Sequence, residues 1–256
     1  LIMDDGSTDN TKNLIQNFNG KDNLEIKYNY ETNSGKMTAL NNLLDNANGN
    51  LIIECDSDDY FSKGAFKIIL NAYEECKKEK DIYALCFLKS YINGANIGNE
   101  FKNDKTTMFD LYFKEGENGE KALVFIGNIR KKYKYKLEKN EKFGTEARLY
   151  HQMDLDYFIK CYNETIMICE YQEDGYSKNI LEQFKKYPYG YYEYFEEILE
   201  RDMKGVQFSK RIYAIKHYIL FSYLTKQYTS KTIKNISNKL LFYLLFIPGI
   251  IKSKKI

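Results

Sequence analysis

The segment LIIECDSDDYF, residues 51–61, places an apolar run directly before a cluster of acids. Leu51–Ile53 has the character of a buried strand. The four acids that follow are Glu54, Asp56, Asp58 and Asp59. Like charges this close together repel one another and disturb each other's titration, so the cluster carries a free-energy cost that something must offset. A divalent cation is the partner that this pattern predicts.

The composition bounds the class of protein. The chain has 256 residues, of which 43% are hydrophobic and 29% charged, as in ordinary soluble globular proteins. The 38 Lys and Arg residues nearly balance the 36 Asp and Glu residues, so no overall field indicates a nucleic-acid partner. The five cysteines contain no CxxC pair, which argues against a zinc site or a disulfide framework and for a reducing, cytoplasmic location.

Strands and helices alternate over the first hundred residues. The predicted strands are 1–3, 24–30, 51–55 and 82–88, and the predicted helices are 8–18, 35–47 and 62–78, the last capped by Ser62. This order is typical of an α/β fold with a mostly parallel sheet flanked by helices. Ligands of such sheets bind beyond the carboxyl ends of the strands. The acidic motifs DDGSTD (4–9) and DSDD (56–59) both lie there, so we expect them to converge on one cleft.

The second half of the chain is less regular. We expect loops between short strands over 91–143, a helix over 145–158 that begins at Glu146, a strand over 164–172, and helices after residue 179. The predicted domains are a catalytic domain, 1–180, and a helical C-terminal region, 181–256. His151 and His217 have no Cys or His partner at metal-ligand spacing and are interpreted as ordinary surface or interface residues.

Each acidic motif also has a plainer explanation. DDGSTD is good turn and helix-cap chemistry, and an EF-hand loop is excluded because Asp9 stands where Gly is required. DSDD is either a solvated turn or a cation site, since Asp56 and Asp58 would point the same way in an extended segment. The nucleophilic DxD of aspartate-based phosphatases is a third interpretation. It is disfavoured because Asp59-Tyr60 replaces the small hydroxyl residue of that pattern.

Three segments taken together resemble the family 2 glycosyltransferases. They are DDGSTDNT (4–11), ETNSGKMTALNNLLDNANGN (31–50) and LIIECDSDDYF (51–61), in this order. The resemblance is strong across residues 1–62 and looser to about residue 180. It implies an inverting, metal-dependent enzyme of the GT-A fold that moves a sugar from a nucleotide-diphosphate donor, commonly a UDP-sugar. The acceptor would be a hydroxyl of a cell-surface glycan or of a lipid-linked glycan.

The resemblance also implies which residues bind the donor and the metal. The donor set is Asp4, Asp5, Ser7, Asn33, Gly35, Lys36, Asp56 and Ser57. The metal set, for Mn²⁺ or Mg²⁺ bound to the diphosphate, is Asp58, Asp56 and Asp59. The residue types agree with this chemistry, because Gly35 permits close backbone approach at a helix N-terminus that favours an anion, and Lys36 adds a positive charge. A bound metal would stabilise the leaving diphosphate as a Lewis acid.

An inverting transfer needs a base for the proton of the acceptor hydroxyl. The family places this acid at the start of a helix after the acceptor region, which corresponds to Glu146 in EKFGTEARLYHQM (141–153). Many members have a Glu-Asp pair there, whereas Ala147 follows Glu146 in this chain. An acid favoured by the helix dipole is the alternative explanation. Residues 170–179 resemble a segment that follows the base in bacterial members of this family, and they either close over the diphosphate or form a simple polar turn.

The two ends of the chain carry further expectations. The chain begins inside the apolar run LIM, so we expect a strand and a crossover helix, roughly 30 residues, to precede it. A non-catalytic or truncated nucleotide-sugar-binding remnant is therefore the alternative function. At the other end, positions 236, 240, 241, 244 and 247 are apolar at helical spacing, and residues 231–255 contain six lysines and no acid. This pattern predicts a tail, 229–256, that lies on an anionic inner membrane surface, or alternatively a docking helix.

Overall fold

The computed structural model describes residues 1–18, 24–138, 141–170, 180–227, 239 and 242–245. The strands are β1 (Ile2–Asp5), β2 (Tyr28–Glu31), β3 (Leu51–Ile53), β4 (Asp59–Phe61), β5 (Ile82–Tyr91), β6 (Lys105–Thr106), β7 (Lys121–Ile126) and β8 (Phe158–Cys169). The helices are α1 (Thr11–Gln16), α2 (Lys36–Asn46), α3 (Ala65–Cys76), α4 (Met108–Phe113), α5 (Gly127–Arg130), α6 (Glu146–Met153), α7 (Ile180–Lys186), α8 (Pro188–Glu200) and α9 (Phe208–Thr225).

The α/β class is confirmed, but the expectation of a mostly parallel sheet was wrong. Strands β1 and β2 form a parallel pair, and the larger sheet has the order β3-β7-β5-β8-β4, with β6 also on β8. Within it only β5 and β8 are parallel, and the other pairings are antiparallel. The cause is β7, which comes from the stretch where loops between short strands were expected. Its apolar run, buried at five of six positions, inserts antiparallel between β3 and β5.

Helices cover both faces of this sheet. On one face, Ala65, Ile69 and Ala72 of α3 pack against alternate residues of β5 and β7. On the other face, Met37 of α2 and Leu149 of α6 pack with α4 over the remaining residues of these strands. Alternation of side chains along a strand supplies both apolar surfaces at once. The carboxylate-rich loops are thereby left at one end of the sheet, between α2 and α6.

Several predicted boundaries differ from the structure. Helix α1 begins at Thr11 and β2 begins at Tyr28, later than expected. Ser62 does not cap α3, because its hydroxyl donates to the carbonyl of Thr165 in β8 and the helix begins after Gly64. Helix α6 ends at Met153, since the chain turns there to enter β8. Helix α2 agrees with its prediction to within one residue at each end.

The helices after residue 180 have an aromatic core of their own. Phe195, Tyr218 and Phe221 are buried in it, together with Phe242 from the tail. The neighbouring Tyr243 and Leu244 are 61% and 64% exposed. The rest of the predicted membrane tail and the segment 171–179 lie outside the described residues. No helix in the described part of the chain is long and apolar enough to span a membrane.

Candidate active site

Asp4 holds the loop that follows β1. Its carboxylate is buried, accepting a hydrogen bond from the backbone N–H of Ser7 at 2.7 Å and one from the Tyr28 hydroxyl at 2.6 Å. The Tyr28 hydrogen bond, followed by the Ser7 hydrogen bond, lowers the pKa of Asp4. The same Tyr28–Asp4 contact raises the pKa of Tyr28 to about 12. Asp4 is therefore ionised at neutral pH, and it fastens the β1 loop to β2.

Asp5 holds the start of α2. One of its carboxylate oxygens accepts from the backbone N–H of Ser34 at 2.5 Å, and the other accepts from the backbone N–H of Gly35 at 2.9 Å. The side chain of Asn33 donates to the Asp5 carbonyl at 3.2 Å. The backbone N–H groups of Ser34 and Gly35, at the helix start where an anion was expected to bind, thus already donate to Asp5. The charge at this helix start that still faces the cleft is carried by Lys36.

Gly35 is required here for a reason that the sequence did not disclose. Its φ angle is +96°, in the region that favours glycine. A Cβ atom on Gly35 would lie 2.1 Å from the carbonyl oxygen of Lys142. Gly35 therefore allows the start of α2 to lie close to the backbone of the segment before α6. The Lys142 ammonium adds a second contact between the two segments by donating to the Asn33 carbonyl at 2.7 Å.

Lys36 joins two of the predicted site residues. Its ammonium lies 2.8 Å from the carboxylate of Asp56 and 2.7 Å from Oε1 of Glu146. Burial lowers the pKa of Lys36, but the charges of Glu146 and Asp56 outweigh it, so the pKa is raised. The expected convergence of the first strand loop with DSDD stays a prediction: Asp5 holds Ser34 and Gly35 beside Lys36, but no residue of 4–9 lines the cleft that contains Asp56 and Glu146.

Glu146 is the first residue of α6, as predicted. Its second carboxylate oxygen accepts from the hydroxyl of Tyr150 at 3.0 Å, one helical turn further along. Burial, followed by the charge of Glu146, raises the pKa of Tyr150 well above its usual value. The helix dipole stabilises an acid at this position whatever its function. What the dipole does not explain is that Glu146 faces the cleft and shares Lys36 with Asp56.

Glu54 is compensated by the protein itself. Its carboxylate lies 2.6 Å from Nη2 of the buried Arg130 and accepts from the Tyr135 hydroxyl at 2.7 Å. Burial raises the pKa of Glu54, and the charge of Arg130 opposes that rise. The Arg130 guanidinium also lies over the rings of Phe125 and Tyr135. This member of the acidic cluster needs no metal to offset its charge.

Asp59 is likewise paired within the protein. Its carboxylate lies 2.9 Å from the ammonium of Lys89 on β5, and both side chains are nearly buried. Burial lowers the pKa of Lys89, but its hydrogen bond to Asp59 and the neighbouring charges raise it overall. Lys89 is 30 residues away in sequence, which is why the acidic stretch looked uncompensated.

The DSDD segment turns rather than running straight. The N–H of Asp59 donates to the carbonyl of Asp56 at 3.1 Å, with Ser57 and Asp58 in the turn and exposed. The argument from an extended segment was therefore wrong, and Asp59 is directed to Lys89. Across the part of the chain that the structure describes, no three His, Cys, Asp or Glu side chains are grouped closely enough to hold a metal ion.

Asp56 and Asp58 still suit a hard cation. Mg²⁺ and Mn²⁺ typically take one or two protein carboxylates and complete their shell with water and phosphate oxygens. Asp56 has about half of its side chain exposed, and Asp58 is exposed with no hydrogen bond or ion pair to any other described residue. These two acids fit a metal that arrives with a diphosphate.

Several of these residues line one open cleft. Its lining includes Lys36, Leu40, Glu54, Asp56, Asp59, Lys89, Lys121, Phe125, Glu146, Tyr150 and Met167. Sequence reasoning missed Lys89, Arg130 and Tyr135, because their partners are distant along the chain. Only Tyr150 had a local signal, since residues four apart on a helix are neighbours. Asp154, which follows α6, lies outside this cleft lining and accepts from the backbone N–H groups of Met108 and Phe109.

The chain belongs to the family described as glycosyl transferase family 2, whose sequence profile matches residues 1–147. An uncharacterized glycosyltransferase of Methanocaldococcus jannaschii is 23% identical over 98% of this chain and 75% of its own length. The Campylobacter jejuni GalNAc(5)-diNAcBac-PP-undecaprenol beta-1,3-glucosyltransferase is 29% identical over 57% of this chain. An uncharacterized glycosyltransferase of Mycoplasma pneumoniae is 32% identical over 36% of it. The chain spans 45% and 30% of the lengths of the last two relatives.

Solved structures identify the fold as GT-A. The crystal structure of S. aureus TarS 1–349 matches 98% of this chain and 70% of its own, with 16% sequence identity and a TM-score of 0.56. The same protein in complex with UDP-GlcNAc matches equally well. The GT-A fold predicted from the sequence is therefore confirmed, although its sheet is not mostly parallel.

Proposed function

We propose that the protein is an inverting glycosyltransferase that moves a sugar from a UDP-sugar to a hydroxyl of a cell-surface or lipid-linked glycan. One observation carries the proposal: the ammonium of Lys36 lies within 3 Å of both the predicted donor-site acid, Asp56, and the predicted base, Glu146. The two halves of a transfer reaction thus meet in one cleft. Family membership supports the same activity and argues against the phosphatase alternative.

Lys36 is the residue that receives the donor. Its two ion pairs are partly exposed to solvent, so each contributes little to stability. An incoming diphosphate can therefore replace them at small cost. The ammonium then neutralises part of the charge on the leaving diphosphate, and Asp56 becomes available to a metal.

Asp58 and Asp56 would hold the Mn²⁺ or Mg²⁺ that accompanies the donor. The metal would supply Lewis-acid stabilisation of the charge on the leaving diphosphate. Asp59 is left out of this set because its carboxylate is committed to Lys89.

Glu146 accepts the proton of the acceptor hydroxyl. Exchange of Lys36 from Glu146 to the diphosphate leaves Oε1 of Glu146 free to accept from the acceptor hydroxyl. The Tyr150 hydroxyl keeps the other oxygen in place. The base is thereby released when the donor is bound, which would favour transfer over premature reaction.

The proposal also includes where in the cell the protein acts. Residues 229–256 hold the enzyme to the inner face of the cell membrane, where a lipid-linked acceptor would be found. Among the few described residues of this segment, Phe242 is buried whereas its neighbours Tyr243 and Leu244 are exposed, and exposed apolar side chains of this kind support contact with a membrane surface. We expect the protein to co-sediment with anionic vesicles and not with neutral ones. Equal binding to both would contradict the proposed attachment to the membrane.

The activity is tested by measuring the UDP that the protein releases from a panel of UDP-sugars, with Mn²⁺ and with a chelator. Release that depends on one sugar and on the metal is expected. Binding of UDP-sugars without any release or transfer would favour the alternative of a non-catalytic nucleotide-sugar-binding protein.

A further inference from the structure

The Lys89–Asp59 ion pair lies in the cleft but has no part in the function proposed above. Both residues line the cleft, and their side chains are only 12% and 9% exposed. An ion pair withdrawn from water to this degree is costly unless further contacts satisfy its polar groups. The pair is therefore a candidate for contact with a bound substrate.

Two other charged groups of the cleft lining are already satisfied within the protein. Glu54 is held by Arg130 and by the Tyr135 hydroxyl. The side chain of Lys121 is fully buried, where its ammonium donates to backbone carbonyls and lies 3.3 Å from Glu117. Neither group has bonding capacity to offer a ligand, which leaves this role to Lys89 and Asp59.

The Lys89–Asp59 pair keeps such capacity. An ammonium has three N–H donors and a carboxylate has about four lone-pair sites. The ammonium of Lys89 lies 2.9 Å from one oxygen of Asp59 and 3.5 Å from Glu120. The thiol of Cys169 beside Asp59 stays protonated, because burial raises its pKa to about 12. The pair can therefore donate to one hydroxyl group of a ligand and accept from another.

The pair lies where the donor sugar must be. The sugar is joined to the diphosphate that the proposed function assigns to Lys36 and to the metal at Asp58, and Asp59 is the next residue of the chain. The sugar must also be within reach of an acceptor at Glu146, which lines the same cleft. Sites for small ligands combine an apolar lining with a few placed polar groups, and this cleft provides both.

The charges around Lys89 favour a neutral sugar. Two carboxylates, those of Asp59 and Glu120, flank this one ammonium. A sugar with its own carboxylate would add a third negative charge in a place largely shielded from water, where like charges repel more strongly than in solution. Hydroxyl groups carry no such penalty, and their hydrogen bonds to charged partners are stronger than those between neutral groups.

We propose that Lys89 and Asp59 bind adjacent hydroxyl groups of the donor sugar and select a neutral UDP-sugar over a UDP-hexuronic acid. This inference rests on the proposed function, since it assigns the class of sugar to the same donor site. Asp59 accepts from one hydroxyl group and Lys89 donates to its neighbour. A site built to bond a hydroxyl group discriminates strongly, because its own polar groups are left unpaired by the wrong ligand.

The test is calorimetric titration of the full chain, in the presence of Mn²⁺, with UDP, UDP-glucose, UDP-galactose, UDP-GlcNAc and UDP-glucuronic acid. We expect at least one neutral UDP-sugar to bind about tenfold more tightly than UDP. UDP-glucuronic acid should bind no more tightly than UDP. The affinity for UDP reports separately on the diphosphate and metal site.

Asp59→Asn removes one of the two acids around Lys89, while its amide oxygen can still accept from the ammonium. This variant should bind UDP as the wild type does and UDP-glucuronic acid about tenfold more tightly. Such a gain cannot come from misfolding. Lys89→Met/Asp59→Leu replaces the pair by apolar residues, an exchange that buried ion pairs often tolerate, and should lose the advantage of the neutral sugar over UDP.

The controls are Asp104→Asn and Lys78→Ala, which change exposed residues outside the cleft lining. Asp104→Asn also removes the acid of a Lys–Asp pair, with Lys160. Both controls should bind every ligand as the wild type does.

Four outcomes would overturn the proposal. They are a wild type that binds UDP-glucuronic acid as tightly as the best neutral donor, an Asp59→Asn variant with unchanged relative affinities, a double variant that keeps the advantage of the neutral sugar, and loss of UDP binding in both variants. The last result would place Asp59 at the metal or the diphosphate. A wild type that binds UDP and every UDP-sugar equally refutes this inference alone, whereas one that binds neither refutes the proposed function.

Discussion

At the scale of single residues, the ion pairs of the cleft fall into two energetic kinds. The Glu54–Arg130 pair is buried, so removal of either partner would leave an uncompensated charge at a cost of about 3–5 kcal/mol. The pairs of Lys36 with Asp56 and Glu146 keep roughly a quarter to a half of each side chain exposed, and exposed pairs contribute about 0–1 kcal/mol each. The first kind maintains the cleft, and the second can be exchanged for a ligand.

Replacement of the proposed base, Glu146, should separate chemistry from binding. In Glu146→Gln the amide can still accept from the Tyr150 hydroxyl but cannot take up a proton. We expect sugar transfer to fall by about 100-fold or more, with the affinity for UDP little changed. Steady-state transfer assays and calorimetric titration of UDP measure the two quantities. Glu164→Gln, an exposed Glu on β8, is the control, and unchanged turnover in Glu146→Gln would assign the base elsewhere.

Replacement of the exposed acid should affect the metal. In Asp58→Asn the carboxylate is lost from a turn where it bonds no other described residue, so the fold should be unaffected. The increase in UDP affinity that Mn²⁺ provides should disappear, while metal-free UDP binding stays the same. Titration of UDP with and without Mn²⁺ measures this, and Asp202→Asn is the control. A variant that still responds to Mn²⁺ as the wild type does would rule out Asp58 as a ligand.

At the scale of elements, the start of α2 is fixed by packing as well as by hydrogen bonds. Gly35→Ala would force a Cβ atom against the Lys142 carbonyl and place a non-glycine residue at φ +96°. Gly94→Ala has a similar φ, +83°, with open space around the added atom, so it isolates the backbone cost of about 1 kcal/mol.

We expect Gly35→Ala to lower the free energy of unfolding by clearly more than Gly94→Ala does, and to impair UDP binding through displacement of Lys36. Chemical denaturation and UDP titration of both variants measure this. Equal destabilisation by the two substitutions would mean that the contact with Lys142 relaxes freely.

The junction of α4 and α6 contains two buried groups with opposite pH dependence. Burial raises the pKa of Asp154 from 3.8 to about 6, although the N–H groups of Phe109 and Met108 oppose the rise. Its contribution to stability is therefore complete below pH 3.8 and is lost as the pH rises through 6. Burial, followed by the charge of Arg201, lowers the pKa of His151 from 6.5 to about 3. Its contribution is complete above pH 6.5 and is lost as the pH falls towards 3.

Between pH 7 and pH 5 these two groups partly offset each other, because the stability that Asp154 gains below pH 6 opposes the stability that His151 loses below pH 6.5. In Asp154→Asn the amide oxygen can still accept from α4, so only the loss from His151 remains. Stability should then fall by about 2 kcal/mol over this interval, from roughly 1.4 kcal/mol per pH unit below 6.5. Denaturation curves at pH 5, 6 and 7 measure this slope. A variant whose pH profile parallels that of the wild type would contradict the pKa assigned to Asp154.

At the scale of the whole molecule, features with a local sequence pattern could be predicted, whereas contacts between distant parts of the chain could not. Helix α2, the strand before DSDD and the position of Glu146 at a helix start have local signals, namely helical spacing, an apolar run and an N-terminal acid. The sheet order did not, since nothing in KALVFI (121–126) indicates that β7 inserts between β3 and β5. The partners Lys89 and Arg130 were missed for the same reason. The sequence therefore predicted that a metal offsets the charge of Asp59 and Glu54, which these two residues already neutralise.

The central claim is that Lys36 receives the diphosphate of a nucleotide donor. Calorimetric titration of UDP and of UMP, in the presence of Mn²⁺, tests it most directly because the two ligands differ by the phosphate assigned to Lys36 and the metal. We predict that UDP binds more tightly than UMP to the wild type and to Lys78→Ala, and that Lys36→Ala loses this difference while keeping its melting temperature. Equal affinity for UDP and UMP in the wild type, or an unchanged preference for UDP in Lys36→Ala, would contradict the account.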